Sequence, residues 1–203
     1  DVWIVPLEGL HDFDASAEAT LQFGEGAVST ITPGGRLAVF SPSVGEVSTF
    51  DATTEDGPAA STDVDPFDGD DVRITLVGES VVLLDVDNGV LEIGGDRRTL
   101  DESTEGAELQ APSDEGEAVA VALTSGLLEV PLAGGEPNRV ADAQGSPVAP
   151  SMVRGCLYAA WGDGSLWERC GSSAPRVADL EGFGESPAAT FRENRGRVLL
   201  NDG

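Results

Sequence analysis

Lysine is absent from this 203-residue chain, and basic residues are scarce in general. All eleven basic residues are arginines, and 37 acidic residues bring the net charge to −26. Proteins bind nucleic acids and anionic membranes through basic groups that displace counterions. The composition therefore argues against nucleic acid as a partner, and it predicts membrane contact only through an anchor outside this chain.

Long apolar runs and amphipathic helical patterns are missing as well. No apolar run approaches the roughly 20 residues that a helix needs to span a bilayer. Hydrophobic residues instead alternate with a period of two, and 26 glycines and 12 prolines interrupt the chain at short intervals. This pattern is typical of short β-strands joined by tight turns. We therefore expect an all-β protein.

One pattern recurs along the chain: an apolar strand, a turn that contains glycine, and a second strand. The copies begin at residues 36, 80, 118, 156 and 197. A period of roughly 40 residues with several short strands per unit is the mark of a β-propeller. We predict a single domain of four-stranded blades over residues 1–203. Its five blade-like repeats are predicted at residues 24–63, 70–104, 107–142, 146–181 and 186–203, the last one together with residues 1–23.

The two ends of the chain resemble halves of one blade. Residues 197–203 look like a second strand with its turn, and residues 1–7 and 17–23 look like a third and a fourth strand. If these segments pair, they close a five-bladed ring and leave no strand edge unpaired. The alternative is a fragment of a ring with six to eight blades, divided within one blade. Both interpretations remain open at this point.

The two cysteines lie symmetrically about a turn. Cys156 is six residues before Gly162, and Cys170 is six residues after Gly164. A three-residue hairpin loop with a left-handed glycine would place them directly opposite each other, at a Cα separation of about 4.5–5.5 Å that a disulfide accepts. We therefore predict a Cys156–Cys170 disulfide. Because disulfides persist in oxidising compartments, we expect an extracytoplasmic protein, secreted or at the cell surface.

Metal ligands are few. Asp85, Asp87 and Asn88 resemble the opening of a calcium loop, but its later ligands are missing. The alternative is an ordinary Asn-Gly hairpin turn. A transition metal is less expected, because His11 is the only imidazole of the chain. The acidic segment Glu55–Asp71 is expected to be a solvated loop between blades, and no other cofactor is predicted.

The sequence contains no recognisable catalytic set. His11 has no nucleophile or carboxylate at motif spacing, and no Gly-x-Ser-x-Gly motif is present. Glycoside hydrolysis needs a pair of carboxylates, for which the predicted inner strands offer Asp71, Glu108 and Glu193. With 37 acidic residues, however, carboxylate pairs arise by chance. Trp161 could stack on a sugar, but core packing between blades is the favoured interpretation.

The second half of the chain resembles a known family. Gly155-Cys-Leu-Tyr-Ala-Ala-Trp161, followed by Cys170, is similar to a strand motif of the type Gly-Cys-Val-x-Ala-Ala-Trp with a second cysteine further on. Val198–Gly203 resembles a phrase of the type Val-x-Leu-Asn-Asp-Gly. Both occur in large extracytoplasmic proteins of actinobacteria that contain fibronectin type III or Ig-like domains. In that family an N-terminal membrane anchor precedes a propeller-like region and many Ig-like repeats.

The resemblance implies a surface adhesion or scaffold role, and it supplies no catalytic residues. The replacement of lysine by arginine is typical of a GC-rich genome and agrees with this lineage. We therefore expect a binding or scaffold module without enzymatic activity, with a protein, cell-wall or glycan partner. Two alternatives stay open: a glycan-active enzyme and a purely structural spacer.

Loops at one face of a propeller vary without disturbing the blades, so we expect the partner to bind there. The turns predicted to share that face are at residues 41–45, 87–89, 124–126 and 162–164.

Overall fold

The computed structural model describes residues 2–3, 5, 11–14, 16–54, 58–181, 183, 189–194 and 197–202. Within these ranges the regular elements are β-strands, grouped into four sheets of four strands and one of two. Blade 1 contains β1 (Val28–Ile31), β2 (Arg36–Ser41), β3 (Glu46–Asp51) and β4 (Ala60–Asp63), and blade 2 contains β5 (Val72–Val77), β6 (Ser80–Asp85), β7 (Val90–Ile93) and β8 (Asp96–Thr99). Blade 3 contains β9 (Glu108–Leu109), β10 (Ala118–Leu123), β11 (Gly126–Pro131) and β12 (Asn138–Asp142). Blade 4 contains β13 (Pro147–Val153), β14 (Cys156–Trp161), β15 (Ser165–Cys170) and β16 (Arg176–Asp179), and the two-stranded sheet contains β17 (Ala189–Asn194) and β18 (Arg197–Asp202).

Each blade is an antiparallel meander in which sequential strands pair. The first strands of successive blades lie side by side, β1 with β5, β5 with β9, β9 with β13 and β13 with β17. The last strands lie outermost, and every residue of β4 and β16 is exposed. Sheets arranged radially around their first strands form a β-propeller, so the predicted fold is confirmed.

The core lies between the blades, because the middle strands present apolar side chains on both faces. In β10, Val119, Val121 and Leu123 pack towards blade 2, whereas Ala120 and Ala122 pack towards blade 4. All five are at most 1% exposed. This double burial explains why the strand reads as a nearly continuous apolar run.

Two tryptophans belong to the layer between blades 3 and 4. Trp161 and Trp167 are 1% and 3% exposed, and the Trp161 indole Nε1 donates a hydrogen bond to the Leu123 carbonyl at 2.8 Å. The alternative of a sugar-stacking Trp161 is therefore wrong, because its ring faces the neighbouring blade rather than solvent. The favoured prediction of core packing is confirmed.

The acidic segment from Glu55 to Asp71 corrects one expectation. Part of it is strand β4, which pairs with β3 from Glu46↔Asp63 to Thr49↔Ala60. No apolar alternation marks this strand in the sequence, because its four side chains are all exposed. The connection between blades 1 and 2 is residues 64–71.

The segment between β9 and β10, residues 110–117, contacts three other blades. We call it the crossing loop. Gln110 anchors it, since this side chain is 1% exposed, accepts from the Ala120 amide and donates to the Ser113 hydroxyl. The inner strand β9 therefore ends at Leu109. Backbone and side-chain bonds then join the loop to Leu76 and Gly78 of the blade 2 hairpin, to Pro150 of blade 4 and, through Asp114, to Gly34 of blade 1.

The two ends of the described chain pack at opposite sides of the blade series. Val2 and Leu21 form an antiparallel bridge and pack with Phe23 against blade 1. Phe191 and Leu200 of the β17–β18 sheet pack against blade 4. Within the described residues β18 pairs only with β17, so closure of the ring by both ends stays a prediction.

Candidate functional site

Turns between the second and third strands of the blades meet at one face of the propeller, which we call the turn face. Each turn is bound to the segment that follows the outer strand of the same blade: Val64 N–H donates to Gly45 O, Leu100 to Gly89, Ala143 to Ser125 and Leu180 to Gly164, at 2.7–3.1 Å. The turns of blades 2, 3 and 4 also line adjoining clefts. The prediction that these turns share a face holds for these three blades.

Two clefts open on the turn face. The first has a volume of about 660 Å³ and lies between the blade 2 turn and residues 100–106. The second, of about 680 Å³, lies between the turns of blades 3 and 4. The first is lined by Asp71, Val86, Asp87, Asn88, Gly89, Leu100, Glu102, Ser103, Thr104, Glu105 and Gly106, and the second by Thr124, Ser125, Arg139, Asp142, Ala143, Gln144 and Asp163.

The wall between the clefts is a cluster of ionic and polar contacts. Glu102 in the first cleft is paired with Arg139 in the second, and both its carboxylate oxygens are bound. Arg139 also donates to the Ser125 carbonyl at 2.9 Å and to Asp142 at 3.1 Å. Glu102 follows blade 2, Ser125 lies in the blade 3 turn, and Arg139 and Asp142 belong to β12, so these contacts fix the position of one cleft relative to the other.

Asp85, Asp87 and Asn88 lie together at the blade 2 turn, where they were predicted as weak calcium ligands. The Asp85 carboxylate is buried and accepts from Gly69 N–H at 3.1 Å and from the Asn88 amide and side chain at 3.0 Å. Asp87 accepts from the amides of Asp70 and Asp71 at 2.8 and 3.0 Å. These bonds hold the turn against the blade 1–blade 2 connection. They account for the two aspartates without an ion, and the calcium hypothesis stays a prediction.

Two of the carboxylates considered for hydrolysis are brought together. Arg73 of β5 lies between Asp71, at 3.2 Å, and Glu108 of β9, at 2.6 Å. Burial acts to lower the pKa of Arg73, but the bonds to both carboxylates outweigh it and raise that pKa above its ordinary value. A glycosidase leaves room for sugar and water between its carboxyl groups, whereas here a guanidinium fills that space. The side chain of Glu193 lies outside the described residues.

Asp163 organises the turn of blade 4. Its carboxylate accepts from the amide and hydroxyl of Ser165 and, in the second cleft, from the Gln144 amide at 3.2 Å. Burial acts to raise the pKa of Asp163, but these hydrogen bonds dominate and the pKa lies below its ordinary value. The residue therefore stays ionised and links the blade 4 turn to the connection from blade 3.

A disulfide joins Cys156 and Cys170, which face each other in the register of β14 and β15. The hairpin turn leaves residues 162–164 unpaired, and Gly164 has the predicted left-handed conformation with φ of 90°. Glu168 lies beside the disulfide, and with it forms the one group in the described part of the chain where three side chains of metal-binding type meet. The two sulfurs bind each other, so the bridge serves the blade rather than a metal.

Sequence reasoning did not find the pairing of Glu102 with Arg139 or the burial of Glu92. These partners come from different repeats or from positions without a motif, and no local pattern marks them. His11, the one imidazole, is exposed and lies 2.9 Å from Asp12. No helix among the described residues is long and apolar enough to cross a membrane.

Comparison with known proteins supports the fold. No family model and no curated protein matches the chain. Among solved structures it is similar to Hsv2p of Kluyveromyces lactis (TM-score 0.58, 14% identity, 86% of this chain and 56% of that one). It is also similar to virginiamycin B lyase of Staphylococcus aureus (0.58, 9%, 86% and 62%) and to BBS1N in complex with ARL6DN (0.55, 12%, 87% and 61%). The chain spans less than two thirds of each, and at these identities the similarity establishes the fold alone.

Proposed function

We propose that this chain is a binding module without enzymatic activity, and that it holds a protein or glycan partner in the two clefts of the turn face. The observation that carries the proposal is the construction of these clefts. Their walls are turns and connections from three blades, joined by the Glu102–Arg139 pair. Loops positioned by a rigid scaffold are the usual place for binding residues in proteins.

The arrangement of carboxylates favours binding over hydrolysis. Asp71 and Glu108 share Arg73, Asp85 and Asp87 bind backbone amides, and Glu102 binds Arg139. Each of these groups already serves to position a strand or a turn. One similar structure is BBS1N in complex with ARL6DN, whereas another is a lyase, so both kinds of function occur on this fold.

We also propose that the module works outside the cytoplasm, in a bacterial cell-surface protein. The Cys156–Cys170 disulfide supports this location, because such bonds are rare where thiols are kept reduced. Residues 155–161 and 198–203 resemble actinobacterial surface proteins with fibronectin type III or Ig-like domains. This resemblance supports an actinobacterial origin. Membrane attachment would then depend on an anchor outside this chain.

The test is a binding and turnover assay on glycan and protein arrays made from a bacterial cell envelope. We expect saturable binding with the ligand recovered unchanged. Binding should fall at least tenfold in a double variant of exposed cleft residues, Glu105→Lys with Asp142→Lys. The matched control, Glu117→Lys with Glu136→Lys, makes the same change in net charge on loops at the opposite face. It should bind like the unaltered protein. Release of sugar or peptide fragments would refute the proposal.

A further inference from the structure

A separate cavity of about 280 Å³ lies between the outer parts of blades 1 and 2, away from the turn-face clefts. Its floor consists of the buried residues Val47, Val64, Leu83 and Glu92. Its rim is exposed and contains Ala60, Thr62, Glu79 and two consecutive glycines of the β7–β8 turn. The cavity thus combines apolar walls with a buried carboxylate, which is the usual design of a site for a small group.

Glu92 is the unusual member of the floor. Its side chain is 6% exposed, although a charged group is rarely buried without full compensation. One oxygen, Oε2, accepts from Arg97 Nε at 2.7 Å. The terminal nitrogens of Arg97 donate elsewhere, to the carbonyls of Pro66 and Asp65. Oε1 of Glu92 accepts none of these bonds, and it is not a buried atom without a partner, so this oxygen is open to solvent.

The geometry of this carboxylate selects the kind of cation. An arginine binds a carboxylate best through both oxygens, and here a partner's arginine would have to share Oε2 with Arg97 Nε. A lysine ammonium is a point charge that needs one oxygen, and it can give its other protons to hydroxyl groups. Ser80 and Thr62 supply such hydroxyls at the cavity. The apolar stem of a lysine would pack against Val47 and Leu83.

We propose that this cavity binds one lysine side chain of a partner polypeptide. No arginine lines it, and Glu79 at the rim adds a second carboxylate. The net charge of −26 attracts a basic partner, and residues 1–203 contain no lysine that could fill the cavity themselves. The cavity is distinct from the turn face, so this proposal can be tested independently of the proposal for the clefts.

The test uses capped tripeptides, acetyl-Gly-X-Gly-amide, titrated into the ¹⁵N-labelled protein and followed by NMR. With lysine at X, the amides of Thr62, Gly94 and Gly95 should shift in a saturable manner. Peptides with norleucine, which keeps the stem but lacks the charge, should bind at least tenfold more weakly. Equal binding of norleucine, stronger binding of arginine, or no shift at these amides would overturn the proposal.

Two variants locate the site. Glu92→Gln should weaken lysine binding at least tenfold. Because this change also weakens the contact with Arg97, a second variant, Ala60→Phe, fills the rim without touching Glu92 and should abolish binding. Ala178→Phe, at an equally exposed position of the outer strand β16, is the matched control and should bind like the unaltered protein. Binding that survives Ala60→Phe would refute the assignment.

Discussion

Single side chains with several partners hold the turn face in place, and Asp163 shows how. Its carboxylate links the blade 4 turn, through Ser165, to the chain leaving blade 3, through Gln144. A neutral carboxyl group would accept these bonds less well. The residue is exposed at the cleft, so its bonds can be tested without disturbing the core.

Asp163 gives a pH prediction whose sign follows from its lowered pKa. A depressed pKa in the folded state adds stability above the unfolded value, near 3.8, and this stability is lost as the pH falls through the lower folded value. We expect Asp163→Asn to be less stable than the unaltered protein at pH 6, with the difference shrinking as the pH falls below about 3.8. Melting temperatures across this range provide the measurement. A difference that is constant with pH would contradict the role given to the carboxylate.

At the residue scale, the sequence predicts those contacts that depend only on strand pairing within one hairpin. Cys156 and Cys170 are symmetric about their turn, so pairing within one hairpin places them together. Glu102 and Arg139 are separated by 37 residues, and Glu92 and Arg97 look like any other charged residues of an outer hairpin. Their contacts depend on how the blades pack against one another, and no sequence motif predicts this packing.

Some strands of the propeller are easier to predict from the sequence than others. Middle strands such as β6 and β10 are apolar on both faces, because they pack against two neighbouring blades. Outer strands such as β4 are wholly exposed, and their backbone pairing is their only structural role. This is why the sequence predicts a loop at residues 60–63. The shortest inner strand, β9, ends at Leu109 because the chain turns away at Gln110 to form the crossing loop.

The crossing loop provides a test at the scale of elements. Replacing Gln110 by Met keeps the length of the side chain but leaves the buried Ala120 N–H without its side-chain acceptor. An unsatisfied buried donor costs about 1–3 kcal/mol, so we expect the free energy of unfolding to fall by that amount. Urea denaturation measures the change. Gln144→Met, at an exposed position, is the control and should change stability by less than about 0.5 kcal/mol. Equal stability of the two variants would contradict the anchoring role of Gln110.

For the whole molecule, a period of about 40 residues was enough to predict the propeller and its first four blades. Each repeat folds as a local meander, so the order of its strands follows directly from the chain. How the series ends depends on contacts between residues far apart in sequence. Val2 packs on blade 1 and β18 on blade 4 through separate apolar layers, and neither layer is visible from a repeat unit alone.

The two proposed sites lie in different parts of the molecule. The turn-face clefts lie among the turns and connections of blades 2, 3 and 4, and the lysine cavity lies between the middle and outer strands of blades 1 and 2. A partner could occupy both, but variants at Glu105 with Asp142 and at Ala60 address them one at a time. If only one set of variants loses binding, the partner contacts the site that carries that set.

Amide hydrogen exchange tests the central claim most directly, with and without the ligand found on the arrays. The turn face should be protected by the ligand, at residues 86–89, 100–106, 124–125 and 142–144. Residues 132–135, on the opposite face, should exchange at the same rate in both states. Protection of the opposite face, with the turn face unchanged, would contradict the proposal that the turns form the binding surface.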